Sequence, residues 1–129
     1  MALNAYHEAR GEGKDGILAT MHVVRNRLNV RYLGAVNYCD VVVANKQFSW
    51  LFDNRSDIPM EWDVYEDIVK MAEQFINSED SSIDMTKGAT HYHADYVNPY
   101  WSMRNHNGDL PRGMQLTTKI GKHIFYKFN

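Results

Sequence analysis

Two stretches of the chain carry apolar residues at the spacing of an α-helix, and they limit the fold more than any other feature. The first is expected to begin near Asp15, as its N-cap, and its apolar residues recur every three or four positions from Ile17 to Leu28. The second runs from about Trp62 to Asn77. Its predicted buried face consists of Val64, Ile68, Met71, Phe75 and Ile76.

Shorter segments complete the predicted secondary structure. A short helix over "LNAYHEAR" is ended by Gly11 and Gly13, and another is expected around Asp40–Ala44. Three aromatic segments, "KQFSWLF", "ATHYHADYV" and "KHIFYKF", favour extended strands. Helices followed by a few short strands predict an α+β fold, mostly helical with a small antiparallel β-sheet. A length of 129 residues predicts one domain, spanning 1–129.

Composition excludes several classes of protein. No apolar run approaches the roughly 20 residues of a membrane span, so membrane insertion is not expected. The net charge is −2 and no dense Lys/Arg tract is present, so nucleic acid is not an expected partner. Acidic residues concentrate in 57–84 and basic residues in 101–129. The basic region suits an anionic polymer, and it is equally compatible with ordinary solvated charge.

The single cysteine, Cys39, excludes an intramolecular disulfide. It lies in the apolar stretch "NYCDVVVA", which favours buried packing over a role as a nucleophile.

Three segments are dense in polar and aromatic side chains: "YHEARGEG", "KQFSW" and "GATHYHADYVNPYW". Aromatic faces suit the apolar faces of sugar rings, and amides and hydroxyls suit their edges. The same aromatic residues could equally form the core of a small domain. The accompanying Gln47, Ser49 and Thr90 favour a polar-lined cleft.

Two acids, Glu8 and Glu12, lie at the first of these segments. A general acid for glycosidic cleavage needs a carboxyl group that stays protonated near neutral pH, which burial against apolar surface provides. Glu8 lies near a helix C-terminus, where the helix dipole also disfavours its charged form. Glu12 lies beyond Gly11 and is expected to be more exposed. The residues alone leave open whether Glu8 is a catalyst or a surface residue.

Histidines offer a different chemistry. His91 and His93 form an H-x-H pair on one face of the second predicted strand, a spacing found in some zinc sites. With a third histidine they could form the centre of a zinc amidase that cuts the peptide stem. Histidines that bond within the protein or contact substrate are the competing interpretation.

Five segments together resemble the catalytic domain of the SleB/CwlJ group of cell wall hydrolases. The likeness runs through nearly the whole chain in order: "AYHEARGEG", "ATMHVVRNRL" with its Asn26–Arg27 pair, "CDVVVANKQFSW", "GATHYHADYVNPYW" and "IGKHIFY".

The resemblance implies a lysozyme-like fold and a cofactor-free, metal-free enzyme that cuts peptidoglycan between N-acetylmuramic acid and N-acetylglucosamine. The family's catalytic acid falls on Glu8. The expected reaction is lytic transglycosylation, which forms 1,6-anhydro-muramic ends, and a water-using muramidase is the alternative. The substrate-binding residues that we expect are Glu12, Gln47, Phe48, Ser49, Thr90, Tyr92 and His93.

The N-terminus has no basic segment followed by an apolar one, so no Sec signal peptide is expected. We therefore expect an enzyme made in the cytoplasm that reaches the wall through a holin-like pore, as in a phage-infected bacterium. A spore or housekeeping enzyme and a non-catalytic wall-binding module are the alternatives.

Overall fold

A computed structural model describes residues 1–44, 58–78 and 83–129. Within these ranges, helices precede a small antiparallel sheet, which confirms the predicted α+β class. The elements are α1 (Ala2–Ala9), α2 (Gly13–Asn29), α3 (Tyr38–Val43), α4 (Trp62–Asn77), β1 (His91–Ala94), β2 (Met114–Ile120) and β3 (His123–Phe128), with 3-10 turns at Tyr32–Gly34 and Tyr100–Ser102. The predicted strand "KQFSWLF" lies outside the described residues.

Helix α4 has the predicted bounds, and its buried face is narrower than the pattern indicates. Ile68, Ala72 and Phe75 are buried, whereas Ile76 is 42% exposed. The prediction for Ile76 was wrong, because one residue beyond Phe75 turns the side chain by about 100° around the helix. A residue of α1 holds the segment just before α4. The buried Tyr6 hydroxyl accepts hydrogen bonds from the backbone N–H groups of Met60 and Glu61, both at 3.0 Å.

Helix α2 is buried on more than one side. Ile17 and Met21 pack with α1 and α4, while Ala19 and Val23 pack with Phe125 of the sheet. The helix begins at Gly13, two residues earlier than predicted, and Asp15 lies in its first turn instead of capping it. Since α2 is the central helix, its side chains reach both the helical layer and the sheet.

The sheet has the order β1-β3-β2, with antiparallel pairing throughout. Tyr92 of β1 lies opposite Phe125 of β3. Strand β2 was not among the predicted strands. A two-residue turn at Gly121 and Lys122 joins β2 to β3, and Gly121 has a φ of 58°.

Consecutive residues of α2 fix the segment that leads into β1. Asn26 Nδ2 donates to Asp84 Oδ2 and to the Ala89 carbonyl, both at 2.9 Å. Arg27 Nε donates to the carbonyl of Thr90. The start of β1 is therefore anchored to α2 immediately before the strand begins.

Cys39 is exposed, so the prediction of a buried thiol was wrong. The buried residue of the short helix α3 is Val41, two positions away and on the opposite face. In the part of the chain that the structure describes, no helix is long and apolar enough to span a membrane.

Candidate active site

Glu8 lies in the last turn of α1 and is bonded to the sheet. The Tyr92 hydroxyl of β1 donates a hydrogen bond to Glu8 Oε1 at 2.7 Å. Tyr92 faces the helical layer, where it packs against the buried clusters that contain Val23 and Val24 of α2. One end of a helix and one edge strand thus meet at a single carboxyl group.

The surroundings of Glu8 favour its protonated form. Burial raises the pKa of Glu8, and the Tyr92 hydrogen bond and the charges of Arg27 and His7 partly oppose that rise. Burial, followed by the nearby Glu8 charge, raises the pKa of Tyr92 well above its ordinary value, so Tyr92 remains a hydrogen-bond donor. Because Tyr92 donates to Oε1, Oε2 is the oxygen left to carry the acidic proton.

Arg27 places a buried cation beside this pair. It is 4% exposed, and its guanidinium lies 5.5 Å from the centre of the Tyr32 ring. Burial followed by the charge of Arg27 lowers the pKa of His91 to about 4. In the sequence, Arg27 is recognisable only as part of an Asn-Arg pair, and it was not predicted to lie in the site.

Two clefts of about 410 Å³ each adjoin the Glu8–Tyr92 contact. The charged cleft includes Glu8 itself, and the aromatic cleft includes Tyr92. The principal residues of the charged cleft are His7, Glu8, Arg10, Glu12, Lys122 and His123. Those of the aromatic cleft are Arg27, His91, Tyr92, His93, Asn98 and Trp101.

A protein-family comparison connects this geometry to known proteins. The family model described as Cell Wall Hydrolase matches residues 11–126 of the 129. The chain belongs to the cell wall hydrolase family. It is therefore an enzyme that acts on peptidoglycan. No curated protein and no solved structure matches the chain, so the lysozyme-like architecture stays a prediction.

The family match includes most of the residues around the hydrolase's two clefts. Glu12, Arg27 and Tyr92 lie inside the matched range, and Glu8 lies three residues before it. The hydrogen bond from Tyr92 connects Glu8 to the matched part of the chain.

Glu12 lines the charged cleft of the hydrolase and is closely surrounded by neighbouring residues. Its side chain is 19% exposed, and its Oε1 lies 3.8 Å from Nε2 of His123. A Cβ atom added to Gly121 would lie 2.9 Å from Oε2 of Glu12, and one added to Gly16 would lie 2.5 Å from its Cβ. Glu12 lies outside α1, as expected, and β3 and the glycine turn leave it half-buried, as Glu8 is.

His123 completes the surroundings of Glu12. Burial lowers the pKa of His123, although the Glu12 charge opposes that change. Within the described residues, its buried Nδ1 has no hydrogen-bond partner. An Nδ1–H group would be an unsatisfied buried donor, so the tautomer protonated at Nε2, facing Glu12, is favoured.

The structure brings some of the other predicted site residues together. His93 lines the aromatic cleft, and its Nε2 lies 2.9 Å from the Tyr126 hydroxyl. Thr90 is 2% exposed, and its hydroxyl accepts from Phe128 N at 3.1 Å. Gln47, Phe48 and Ser49 lie outside the described residues. Substrate binding by these residues stays a prediction.

The H-x-H pair of the hydrolase bonds within the protein. His91 Nε2 lies 3.2 Å from the Tyr32 hydroxyl, and His93 Nδ1 lies 2.7 Å from the Ala94 carbonyl. Across residues 1–44, 58–78 and 83–129, no three His, Cys, Asp or Glu side chains are grouped closely enough to hold a metal ion.

Proposed function

We propose that this cell wall hydrolase is a lytic transglycosylase that cuts the glycan strand between N-acetylmuramic acid and N-acetylglucosamine, with Glu8 as the general acid and base. The observation that carries the proposal is the Glu8–Tyr92 contact. It places a partly buried carboxyl group with a raised pKa at the edge of a cleft. A carboxyl group in such surroundings is suited to donating a proton near neutral pH.

In the first step, protonated Glu8 donates its Oε2 proton to the oxygen that joins the two sugars. The bond between that oxygen and C1 of muramic acid breaks, and N-acetylglucosamine leaves with a free hydroxyl. C1 of muramic acid becomes an oxocarbenium-like centre. Glu8 is now a carboxylate, and the Tyr92 hydroxyl that donates to Oε1 stabilises its charge.

In the second step, the C6 hydroxyl of the same muramic acid attacks C1. Glu8 takes the proton from that hydroxyl as the new C–O bond forms, which closes a 1,6-anhydro ring and restores protonated Glu8. One carboxyl group serves both half-reactions, and no water is consumed.

A muramidase is the second candidate, and Glu12 is the observation that favours it. Glu12 lines the same charged cleft as Glu8 and lies beside His123 and against the Gly121 turn. A second carboxylate could direct a water to C1, as in two-carboxylate glycosidases. Its products would carry reducing ends instead of anhydro rings.

Mass analysis of the muropeptides released from purified sacculi tests both candidates. We expect products one water lighter than hydrolysed ones, and release of reducing ends alone would contradict transglycosylation. Glu8→Gln should reduce product release by about 10²-fold or more. Glu73→Gln, which changes an exposed glutamate on α4 away from both clefts, is the matched control and should retain the rate.

A further inference from the structure

We propose that Arg27 is a positioning residue of the Glu8 site: it holds the start of β1 so that Tyr92 meets Glu8, and it supplies a fixed positive charge that stabilises the Glu8 carboxylate after proton transfer. The inference rests on the proposed function for the step in which Glu8 loses its proton. The placement of the charge is a property of the folded protein and can be measured separately.

The first part of the role follows from backbone geometry. Arg27 Nε donates to the carbonyl of Thr90, which stands two residues before Tyr92. Thr90 N donates to the Tyr126 carbonyl at 2.9 Å, so the same residue is also tied to β3. Arg27 thereby connects α2 to β1, the strand that carries the Tyr92 hydroxyl.

The second part follows from burial and charge. Arg27 is 4% exposed and lines the aromatic cleft beside Tyr92 and His91. A guanidinium group keeps its proton at every pH at which the enzyme works. Because solvent is largely excluded there, its field at Glu8 is weakly screened. The effect on Glu8 has the corresponding sign, since the Arg27 charge lowers the pKa that burial raises.

Other charged and titratable groups also face Glu8, and they differ from Arg27 in burial. Arg10, which is paired with Glu61 at 3.1 Å, has a side chain that is 44% exposed, and Lys122 is exposed. Solvent screens both cations more than it screens Arg27. The groups around Glu8 are His7 from α1, Arg10 and Glu12 between α1 and α2, Arg27 from α2, Tyr92 from β1, Tyr96 after it, Lys122 from the β2–β3 turn and His123 from β3.

Burial of Glu8 and the opposing effect of Arg27 and Tyr92 both matter for proton transfer. Burial alone would hold the Glu8 proton too tightly for transfer to a glycosidic oxygen. A fixed cation and a hydroxyl donor lower the free energy of the carboxylate that proton transfer creates. The same carboxylate must persist until the C6 hydroxyl returns a proton, so the stabilisation acts in both half-reactions.

The test is a titration of the Glu8 carboxyl by carbon-13 NMR in protein labelled at glutamate, with the Glu8→Gln spectrum identifying the signal. In Arg27→Gln and Arg27→Met, which remove the charge, the Glu8 midpoint should move up by about one pH unit. The descending alkaline limb of the peptidoglycan-clearing rate should move in the same direction. Arg27→Lys, which keeps a cation, should leave the midpoint within about 0.3 of wild type.

Asn26→Ala is the matched structural control. It removes the neighbouring anchor of the 84–90 segment, with its bonds to Asp84 and Ala89, and changes no charge beside Glu8. We expect it to lower stability and rate without moving the midpoint.

An unchanged Glu8 midpoint in the neutral variants, or an equal shift in Asn26→Ala, would overturn the proposal. If neither neutral variant folds, Arg27→Lys decides. A midpoint within 0.3 of wild type supports the role of the charge, and a shift of a full unit overturns it. Because the titration needs no substrate, it remains readable even if Glu8→Gln proves active and the proposed function fails.

Discussion

Tyr92 and Glu8 are 84 positions apart in the chain, and the hydroxyl of one donates to the carboxyl group of the other at 2.7 Å. Their meeting requires the end of α1 and the edge strand β1 to be placed together. Both elements contact or are anchored to α2, through helix packing on one side and the Asn26 and Arg27 hydrogen bonds on the other. The Glu8–Tyr92 contact therefore forms only when α1, α2 and β1 are packed in their correct positions.

Removing the Tyr92 hydroxyl should change the acid strength of Glu8. The hydrogen bond from Tyr92 lowers the pKa of Glu8, so Tyr92→Phe should move the alkaline limb of the rate profile up by about one pH unit. The rate at the optimum should fall by about tenfold. The measurement is clearing of a peptidoglycan suspension across pH. Tyr65→Phe, which changes a tyrosine of α4 outside both clefts, should leave the limb in place, and an unmoved limb in Tyr92→Phe would contradict the contact.

Glu8 should make folding stability depend on pH. Its pKa is raised in the folded state, so ionisation favours the unfolded chain. Stability contributed by protonated Glu8 is present below the unfolded pKa near 4.5 and is lost as pH rises through the folded value. Urea unfolding should show Glu8→Gln gaining stability relative to wild type between pH 4 and pH 8. A constant difference across that range would be inconsistent with a buried carboxyl group.

Glu12→Gln should distinguish the two mechanisms within one cleft. Under transglycosylation Glu12 only contacts substrate, so we expect anhydro products to persist with a KM raised several-fold and a kcat within about tenfold of wild type. Loss of more than about 10²-fold in kcat, with reducing ends in the wild-type products, would instead identify Glu12 as the partner of an attacking water.

A side chain added at Gly121 should displace the Glu12 carboxyl group and cost more stability than one added at a glycine with open space around it. A Cβ at Gly121 would lie 2.9 Å from Glu12 Oε2, in addition to the strain of a φ of 58°. Gly108→Ala is the matched control, because Gly108 has a φ of 85° and open space around it. We expect a loss of roughly 1 kcal/mol in the unfolding free energy for Gly108→Ala from backbone strain alone. Urea denaturation should show a larger loss for Gly121→Ala, and equal losses would mean that Glu12 is not held against the turn.

Protonation of Asp84 should lower the folding stability of the enzyme at acid pH. Burial raises the pKa of Asp84, but the hydrogen bonds from Thr86, Asn26 and the Gly88 backbone outweigh burial and lower it. Its contribution to stability is therefore present above the unfolded pKa and lost as pH falls through the folded value. Asp84→Asn should cost about 1–3 kcal/mol at pH 7, with a smaller difference at pH 2. A difference that is the same at both values would show that Asp84 does not hold the segment before β1.

Helices could be predicted where apolar residues recur at helical spacing along the sequence. The apolar spacing over Trp62–Asn77 predicted α4 to the residue, because one face of that helix meets the core. Strand β2 was missed because its side chains are half-buried or exposed along "MQLTTKI", without an alternating apolar pattern. The position of β2 in the sheet is set by its pairing with β3. That pairing cannot be seen in the sequence of β2 alone.

The candidate site was predictable in its chemistry and not in its contacts. The acid motif indicated Glu8, and the aromatic segment indicated Tyr92. Arg27 was not placed in the site, because its role depends on the Thr90 carbonyl 63 positions away. Thr90 itself was chosen for its polar side chain, whereas the structure also uses its backbone carbonyl.

The strand order β1-β3-β2 makes the last of these three strands in sequence the central one. During synthesis, β1 and β2 leave the ribosome before the strand with which both must pair. Tyr92 therefore has no sheet to fix it until 123–128 has emerged, although Glu8 is made well before that strand. A polypeptide interrupted before β3 would carry Glu8 and Tyr92 without the strand that brings them together. Under the proposed mechanism, we expect such a polypeptide to be inactive.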